Sequence, residues 1–392
     1  MKIISVVGAR PNFMKIAPFC RAVEHYNKEH PESIKHILLH TGQHYDKSMS
    51  DTFFSQLNIP DPDINLGVGS GTHAEQVGLT MIEFEKVLKV EKPDWVVVVG
   101  DVNAILACSV TAKKENIKCC HIEAGLRSGD ISMPEEINRL VADRISDLLL
   151  TPDMISTKNL LNEGIPEKKI RFVGNIMIDT LEVSRSEASS MDINNILTRG
   201  LIDEPQELMS LYPAKDSYGI VTIHRPSNVD NKEVLEPLVR FLVNEVCKKM
   251  ILIWPIHPRT RKMLTEFGLF NDLLKIPNLI LLNPIGYLEM LRLNMDAKIF
   301  FTDSGGLQEE CTVLGTPCIT LRWNTERPVT LREHGGASVL VGNNIDRIRD
   351  EFNAALKLDR KPVRPELWDG YTAERCLKAI LEYKEVIFDF SY

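Results

Sequence analysis

Short, uninterrupted apolar runs recur along the chain and alternate with segments of helical periodicity. Runs such as Trp95–Val99 and Cys119–Ile122 do not alternate in polarity, which is typical of parallel strands buried on both faces. The same pattern predicts strands at Lys2–Val7, His36–His40, Leu148–Thr151, Ile170–Val173, Gly219–Ile223, Met250–Pro255, Leu279–Leu282, Lys298–Thr302, Cys318–Leu321 and Ser338–Val341. Strands that alternate with helices predict an α/β fold with parallel sheets.

The alternation of strands and helices lapses between Gly174 and Asp216 and then restarts, which predicts two doubly wound, Rossmann-like domains. We place the N-terminal domain at residues 1–174 and the C-terminal domain at residues 175–370. The last segment, 371–392, begins with a helical pattern and is expected to pack back on the N-terminal domain. A chain of 392 residues is long enough for two such domains.

The composition narrows the class of protein. A hydrophobic content of 44% and a charged content of 26% are ordinary for a soluble globular protein. The net charge of −8, without a basic tract, argues against a nucleic-acid partner. The eight cysteines fall mostly in apolar patterns without metal-binding spacing, so we expect reduced core thiols, no metal and a cytoplasmic location. No apolar run reaches the ~18 residues that a membrane span requires.

Acidic residues follow two neighbouring predicted strands directly. Asp101 comes after Gly100 at the end of the first run, and Glu123 follows the second. Ligands of open parallel sheets lie beyond the carboxyl ends of the strands, so both acids are expected in one crevice. Glu135, after a Gly-containing loop, is expected to join them. Because converging carboxylates are costly away from water, we expect these residues to transfer protons.

Glu135 also has a purely structural interpretation. The pattern Ser132-x-x-Glu135 matches a capping box, with Pro134 in the first helical turn. Glu136 and Arg139 are spaced for an ordinary i,i+3 ion pair on the same helix. From these residues alone, helix capping is the stronger interpretation of Glu135.

A Gly-rich turn in the second half is suited to bind a phosphate group. Ser304, Gly305 and Gly306 stand between a predicted strand and a predicted helix, whose free N–H groups attract anions. Glu310, one turn further, could accept both hydroxyl groups of a ribose. The alternative is a strand-to-helix turn without a function.

Four cationic candidates come from both halves of the chain. Arg10 and Lys15 lie near the start of the first predicted helix, in a turn that lacks the GxGxxG pattern. His224 ends a predicted strand of the second half, and Arg327 follows another. Solvated surface cations, and a histidine packed at a strand end, are the corresponding structural alternatives.

Eight separate motifs carry a family resemblance. GARPNFMK, GDVNA, HIEAGLRSGD, MPEEINR, TIHRP, TDSGGLQEE, GTPCITLRWNTERP and VLVG occur in this order between residues 8 and 342. Together they resemble the motifs of the non-hydrolysing UDP-N-acetylglucosamine 2-epimerases over nearly the whole chain. The resemblance implies a glycosyltransferase-B architecture, in which two Rossmann-like domains face a central cleft. It also implies an enzyme that is typically dimeric and serves cell-surface polysaccharide synthesis.

The resemblance assigns a reaction and residue roles. Such enzymes invert C2 of UDP-GlcNAc by eliminating UDP to 2-acetamidoglucal and adding it back, without a metal or nicotinamide cofactor. Proton transfer would fall to Asp101, Glu123 and Glu135, with His224 as a further catalytic residue. The expected substrate contacts are Ser304, Gly305 and Gly306 on the diphosphate, Glu310 on the ribose, Ile285 and Met290 on the uridine, and Arg10, Lys15, His224 and Arg327 as counter-charges of the leaving diphosphate.

The resemblance leaves the sugar open and departs from the family at one segment. Related enzymes act on UDP-diacetamido-uronates or N-acetylfucosamine precursors. QHYDKSMSD, residues 43–51, differs from the allosterically regulated members, so we expect no activating second substrate site. Hydrolysing relatives resemble GDRxE where this chain has GDVNA, which disfavours hydrolysis. A retaining glycosyltransferase would not need the three acids, and a catalytically silent sensor would not need them together with His224.

Overall fold

The computed structural model describes residues 1–8, 10–31, 33–42, 60–202 and 213–384, apart from the side chains of Arg10 and Pro11. The chain divides into two compact units, one formed by Met1–Val183 with the segment from Pro365 onward, the other by Ser184–Arg364. The sequence analysis placed these boundaries at 174/175 and 370/371.

The first unit contains a seven-stranded parallel sheet in the order β3-β2-β1-β4-β5-β6-β7. Its strands are β1 Lys2–Val7, β2 Lys35–His40, β3 Ile64–Asn65, β4 Trp95–Val99, β5 Lys118–Ile122, β6 Leu148–Thr151 and β7 Ile170–Phe172. The helices are α1 Arg10–Glu29, α2 His73–Glu91, α3 Asn103–Lys114, α4 Pro134–Ile145, α5 Met154–Asn162 and α6 Ile176–Ser190, with a 3-10 turn at Glu167–Lys169.

The second unit contains a six-stranded parallel sheet in the order β10-β9-β8-β11-β12-β13. Its strands are β8 Tyr218–Thr222, β9 Ile251–Pro255, β10 Leu279–Leu282, β11 Ile299–Thr302, β12 Cys318–Thr320 and β13 Ser338–Leu340. The helices are α7 Ile193–Gly200, α8 Pro226–Val229, α9 Lys232–Phe241 with a π-helical turn at Leu242–Val246, α10 Pro258–Glu266, α11 Phe270–Leu273, α12 Tyr287–Asp296, α13 Gly305–Leu314 and α14 Ile345–Ala355, with 3-10 turns at Pro328–Thr330 and Arg332–His334.

The buried faces of both sheets explain why the strands could be read from the sequence. Every residue of β4 is buried, and Val96 and Val98 pack with Phe84 and Leu88 of α2. Continuous burial on both faces removes the alternation of polar and apolar residues, as expected for parallel strands covered by helices. The predicted strands are confirmed, each to within one residue at either end.

The strand order places a change of direction at the centre of each sheet. In the first unit the chain moves outward in opposite directions from β1 and β4, and in the second from β8 and β11. Loops that leave two such strands diverge and open a crevice beyond their carboxyl ends, where ligands of this fold class bind. The turns after these four strands are therefore where functional residues are expected.

The segment after Pro365 completes the first unit. Asp179 of α6 accepts hydrogen bonds from the backbone N–H groups of Thr372 (3.1 Å) and Ala373 (2.7 Å), which begin helix α15, Thr372–Leu381. The buried Trp368 donates from Nε1 to the carbonyl of Pro152 at 2.9 Å. These bonds satisfy backbone groups at the start of α15 and fasten the segment to the first sheet.

The eight cysteines are buried free thiols, as predicted. Burial raises the pKa of Cys20 and of Cys247 to about 12, so both are neutral core residues near pH 7. Within the described ranges, no helix has the length and apolar character needed to cross a lipid bilayer.

Candidate active site

Asp101 lies beyond β4, at the centre of the first sheet. Gly100 adopts φ +80°, a left-handed conformation that glycine tolerates, and turns the chain toward α3. The Asp101 side chain is 25% exposed, and its Oδ2 accepts from Nη1 of Arg139 at 2.5 Å. Arg139 is fully buried and also pairs with Glu136, so it holds the Asp101 carboxylate from the protein side.

Glu123 lies beyond the neighbouring strand β5 and has an unusual backbone conformation. Its φ is +69°, a left-handed value that costs energy for a residue with a Cβ and often marks functional sites. Its carboxylate forms a buried ion pair with Nζ of Lys15, from α1. A methyl group on Gly100 would lie 3.2 Å from that Nζ and 3.5 Å from Glu123 Oε2. The structure therefore brings the Lys15–Glu123 pair beside the turn that carries Asp101, as expected for the two acids.

Glu135 lies in the first turn of α4 without the predicted capping role. Met133 is the N-cap residue, and its side chain makes no capping hydrogen bond. The Ser132 hydroxyl group donates to Asp130 Oδ1 at 2.6 Å and does not cap the helix. The capping-box prediction is therefore wrong. Within the described part of the chain, the partly buried Glu135 side chain forms no hydrogen bond or ion pair.

The neighbouring Glu136 has the structural role instead. Its carboxylate accepts from the backbone N–H groups of Ser128 (3.1 Å) and Gly129 (2.9 Å) and forms the predicted ion pair with Arg139. Glu136 thus fixes the loop before α4. Glu135 is left available for a ligand.

Asp303, which follows β11, organises the equivalent position in the second unit. The buried carboxylate accepts from the backbone N–H groups of His224 (3.0 Å) and Arg225 (2.9 Å) and from Nδ2 of Asn228 (3.0 Å). Its Oδ1 lies 2.9 Å from Nδ1 of His224, whose side chain is 40% exposed. Burial raises the pKa of Asp303, but the hydrogen bonds and the charge of His224 outweigh it and hold that pKa below its usual value. Asp303 therefore orients the His224 ring through Nδ1.

The start of α13 is where the sequence predicts a phosphate cradle. Ser304 is the N-cap residue and makes no side-chain capping hydrogen bond, so the first-turn N–H groups remain available. A Cβ on Gly305 would lie only 2.7 Å from Arg327 Nη1 and from Glu326 Oε1. The close approach of these side chains explains the glycine at 305, and Gly306 follows it in the same turn.

Arg327 lies beside this turn as part of a buried ion network. Nε donates to Glu309 Oε1 at 2.7 Å, and Nη1 pairs with Glu326, which also accepts from Arg322 at 2.7 Å. Two carboxylates therefore offset the charge that was expected to act on a diphosphate. In this structure the guanidinium contributes to the shape of the cradle through its contact with Gly305.

Glu310, one turn into α13, is buried and forms no hydrogen bond within the described residues. Burial, followed by the charge of Glu309, raises the pKa of Glu310 to about 8. A buried carboxyl group without a partner is costly, and such exceptions mark sites where a ligand supplies the missing contacts. The environment of Glu310 fits the expected contact with ribose hydroxyl groups.

The structure describes only some of the remaining residues that were predicted to contact the substrate. Ile285 and Met290 are half-buried and pack against a core cluster that contains Ile280, Leu293 and Phe300. The Arg10 side chain and QHYDKSMSD lie outside the described residues. Within the described ranges, no group of three or more His, Cys, Asp or Glu side chains could hold a metal ion.

A family model described as UDP-N-acetylglucosamine 2-epimerase matches residues 27–381. The chain belongs to this family. A Methanocaldococcus jannaschii protein named UDP-N-acetylglucosamine 2-epimerase is 43% identical over 386 residues, which cover 98% of this chain and 99% of the relative. A Pseudomonas aeruginosa relative named UDP-2,3-diacetamido-2,3-dideoxy-D-glucuronate 2-epimerase is 37% identical over 360 residues, 91% of this chain and 92% of its own.

Solved structures of the family share the fold. A crystal structure of the Methanocaldococcus jannaschii UDP-GlcNAc 2-epimerase in complex with UDP-GlcNAc and UDP matches with a TM-score of 0.85 at 41% identity, over 97% of this chain and 99% of that chain. The fold class and the family resemblance predicted from the sequence are both confirmed.

Two residues that organise the site were missing from the predicted set. Asp303 was not among the predicted site residues, although it follows a strand directly, as Glu123 does. That position was the available signal. Arg139 was assigned only to the ion pair with Glu136, and its bond to Asp101 joins residues 38 positions apart that no spacing rule connects.

Proposed function

We propose that this member of the family is a non-hydrolysing UDP-N-acetylglucosamine 2-epimerase. It interconverts UDP-GlcNAc and UDP-ManNAc for cell-surface polysaccharide synthesis. The observation that carries the proposal is the acid pair of the first unit. Asp101 and Glu123 follow adjacent strands, Glu123 pairs with Lys15, and Gly100, which precedes Asp101, lies beside that pair. A protein that only binds a nucleotide sugar has no use for two such acids.

The second unit would bind the UDP part of the substrate. The N–H groups at the start of α13, next to Ser304, Gly305 and Gly306, bind the diphosphate, and His224 adds a donor that Asp303 orients. Ile285 and Met290 lie against the uridine, and Glu310 accepts the ribose hydroxyl groups. Arg10, Lys15 and Arg327 complete the expected set of cations.

The acids of the first unit would carry out the proton transfers. One carboxylate removes the C2 proton, the C2–H electron pair forms the C1=C2 bond, and the C1–O bond breaks so that UDP leaves with its electron pair. Reprotonation of 2-acetamidoglucal at C2 on the opposite face and return of UDP to C1 give the epimer. The C2 proton is a weak acid, so the reaction needs both a positioned base and stabilisation of the leaving diphosphate. Asp101, Glu123 and Glu135 supply the acid and base groups.

The decisive measurement is proton NMR of the purified protein with UDP-GlcNAc as the only addition. We expect an equilibrium mixture that contains UDP-ManNAc, formed at the same rate with EDTA, because the proposed chemistry needs neither a metal nor a nicotinamide cofactor. Strong inhibition by EDTA would contradict the metal-free mechanism. Conversion only when an acceptor is supplied would instead indicate a glycosyltransferase.

The Pseudomonas aeruginosa relative gives a second candidate substrate. Its name specifies a diacetamido-glucuronate sugar, and its identity to this chain, 37%, is close to the 43% of the Methanocaldococcus jannaschii relative. The same NMR assay with UDP-2,3-diacetamido-2,3-dideoxyglucuronate separates the two. Turnover of this sugar without turnover of UDP-GlcNAc would retain the 2-epimerase chemistry and replace the substrate.

We also propose a homodimer in a reducing compartment, the cytoplasm. Leu79, Ile82 and Val90 of α2 are 47%, 54% and 77% exposed and lie opposite its buried face. The buried free thiols fit a reducing compartment. Light scattering should give twice the chain mass, and Ile82→Lys should shift the protein toward the monomer. A wild-type monomer would contradict the proposal.

A further inference from the structure

A buried histidine connects the two acidic turns of the first unit. His121 lies on β5, two residues before Glu123, and is fully buried. Its Nε2 lies 2.8 Å from the carbonyl oxygen of Gly100, the residue before Asp101. Its Nδ1 lies 2.6 Å from Oδ1 of Asp143, on α4.

Asp143 extends the connection to the turn after β5. Its Oδ2 accepts from the backbone N–H of Gly125 at 3.0 Å and from Nη1 of Arg127 at 2.7 Å. Burial raises the pKa of Asp143, but the charge of His121, its hydrogen bond and the contacts of Arg127 outweigh it, so the residue is a carboxylate. The Gly100 carbonyl oxygen can only accept, so Nε2 of His121 is the donor of that hydrogen bond, and Nδ1 faces the Asp143 carboxylate.

The turn after β5 needs such support because Glu123 has a strained backbone. Its φ of +69° costs energy for a residue with a Cβ, whereas Gly100 and Gly125, at +80° and +83°, adopt such values without that cost. A strained conformation of this kind persists only where surrounding contacts hold it. The hydrogen bond from Gly100 N–H to the carbonyl of Ile122 is long, at 3.2 Å. His121 and Asp143 provide the side-chain contacts that hold Gly100 and Gly125.

We propose that the His121–Asp143 pair is a positioning device that sets the separation of Asp101 from Glu123. His121 holds the first turn through the Gly100 carbonyl, and Asp143 holds the second through the Gly125 N–H. The inference rests on the proposed epimerase function, because it concerns two acids that act on one substrate. Misplacement of a catalytic group by about 1 Å can cost on the order of 10²-fold in rate.

Two substitutions of His121 separate this role from simple packing. A glutamine places its amide nitrogen near the position of Nε2 and can still donate to Gly100, whereas an asparagine reaches only the position of Nδ1. We expect His121→Gln to retain kcat within about fivefold of wild type. His121→Asn should lower kcat by about 10²-fold with little change in KM or in UDP affinity. Glu163→Gln, at the exposed end of the Arg127 contact, is the matched control and should change kcat less than twofold.

Hydrogen–deuterium exchange of residues 100–104 tests the same idea without turnover. His121→Asn should speed exchange of this peptide, and His121→Gln should leave it near the wild-type rate. If His121→Asn does not fold, Asp143→Asn replaces it and is expected to speed exchange of residues 123–126 and lower kcat at least tenfold at unchanged UDP affinity.

Failure of the proposed function and failure of the positioning role would give different results. Wild-type protein that does not turn over a UDP-sugar would contradict the proposed function, and the exchange measurement would still decide the positioning role. Equal kcat values and equal exchange in the glutamine and asparagine variants would overturn the positioning role in an active enzyme. A glutamine variant weaker than the asparagine variant would overturn it as well, because the Asp143 contact alone would then matter.

Discussion

Replacement of Glu310 by glutamine should stabilise the second unit near neutral pH and weaken its affinity for UDP. The folded protein raises the pKa of Glu310 from 4.5 to about 8, because the carboxyl group is buried and lies beside Glu309. Because the pKa of Glu310 is higher in the folded than in the unfolded protein, the free energy of unfolding is unaffected below pH 4.5 and falls as the pH rises toward 8. Each pH unit costs about 1.4 kcal/mol, so about 3 kcal/mol is lost by pH 7. Glutamine has no proton to lose and should recover most of this.

Urea unfolding at pH 5, 7 and 8.5 measures the effect. Wild type and Glu310→Gln should have nearly equal free energies of unfolding at pH 5 and diverge in favour of the variant as the pH rises. Glu309→Gln should reduce the pH dependence of the wild type, because it removes the second cause of the raised Glu310 pKa, although it also removes one partner of the buried Arg327. Parallel pH profiles of wild type and Glu310→Gln would refute the assignment of a raised pKa.

Titration calorimetry of the same proteins tests the ribose contact. At pH 8.5, where the Glu310 carboxyl group is largely ionised, wild type should bind UDP at least tenfold more tightly than Glu310→Gln does, because a carboxylate accepts from two hydroxyl groups and an amide oxygen does so more weakly. Wild type should also prefer UDP to 2′-deoxy-UDP, and the variant should discriminate less between them. An unchanged preference in the variant would remove Glu310 from the ribose site.

The other predictions concern the reaction itself. Asp101→Asn, Glu123→Gln and Glu135→Gln should each lower turnover by roughly 10²-fold or more, as loss of a general acid or base does. Calorimetry should show a UDP affinity near the wild-type value for each variant. A variant with near-normal turnover would exclude the replaced residue from proton transfer. Turnover in D2O should place deuterium at C2 of both sugars by NMR, and product that retains its C2 hydrogen would rule out the elimination route. Epimerisation of UDP-ManNAc should start without a lag, because residues 43–51 depart from the activated members, whereas a lag abolished by UDP-GlcNAc would reveal a second site.

The fold was predictable because burial on both faces leaves a strong signal in a short strand. Trp95–Val99 carries five consecutive buried apolar residues between polar turns, and a short buried strand fits that pattern better than a helix or a loop does. Strand β3 was missed because Ile64–Asn65 has only two residues, inside a stretch rich in Gly, Pro and Asp that reads as a loop. Its pairing with β2 is a tertiary contact that local sequence does not specify.

The site was predictable as a set of residue types but not as a set of partners. Sequence position showed that Ser132 could cap α4, but the competing acceptor Asp130 is closer along the chain and the helix begins one residue later. Arg327 was recognised as a cation near the cradle, yet its neutralisation by Glu309 and Glu326 depends on how the loop after β12 folds over α13. The pairing of Arg327 with Glu309 joins residues 18 positions apart and follows from packing, whereas the contacts with Asp130 and Glu326 depend on the local path of each loop.

The distribution of counter-charges separates the carboxylates of the site into two groups. Asp101 and Glu123 each have a cationic partner within the protein. A paired carboxylate is held in place, which suits a group that must keep a fixed geometry around a substrate. Glu135 and Glu310 have no such partner in the described chain, and for the buried Glu310 this leaves a desolvation cost that the folded protein does not compensate. A ligand that supplies hydroxyl groups would relieve that cost, and the free energy released would favour binding at Glu310.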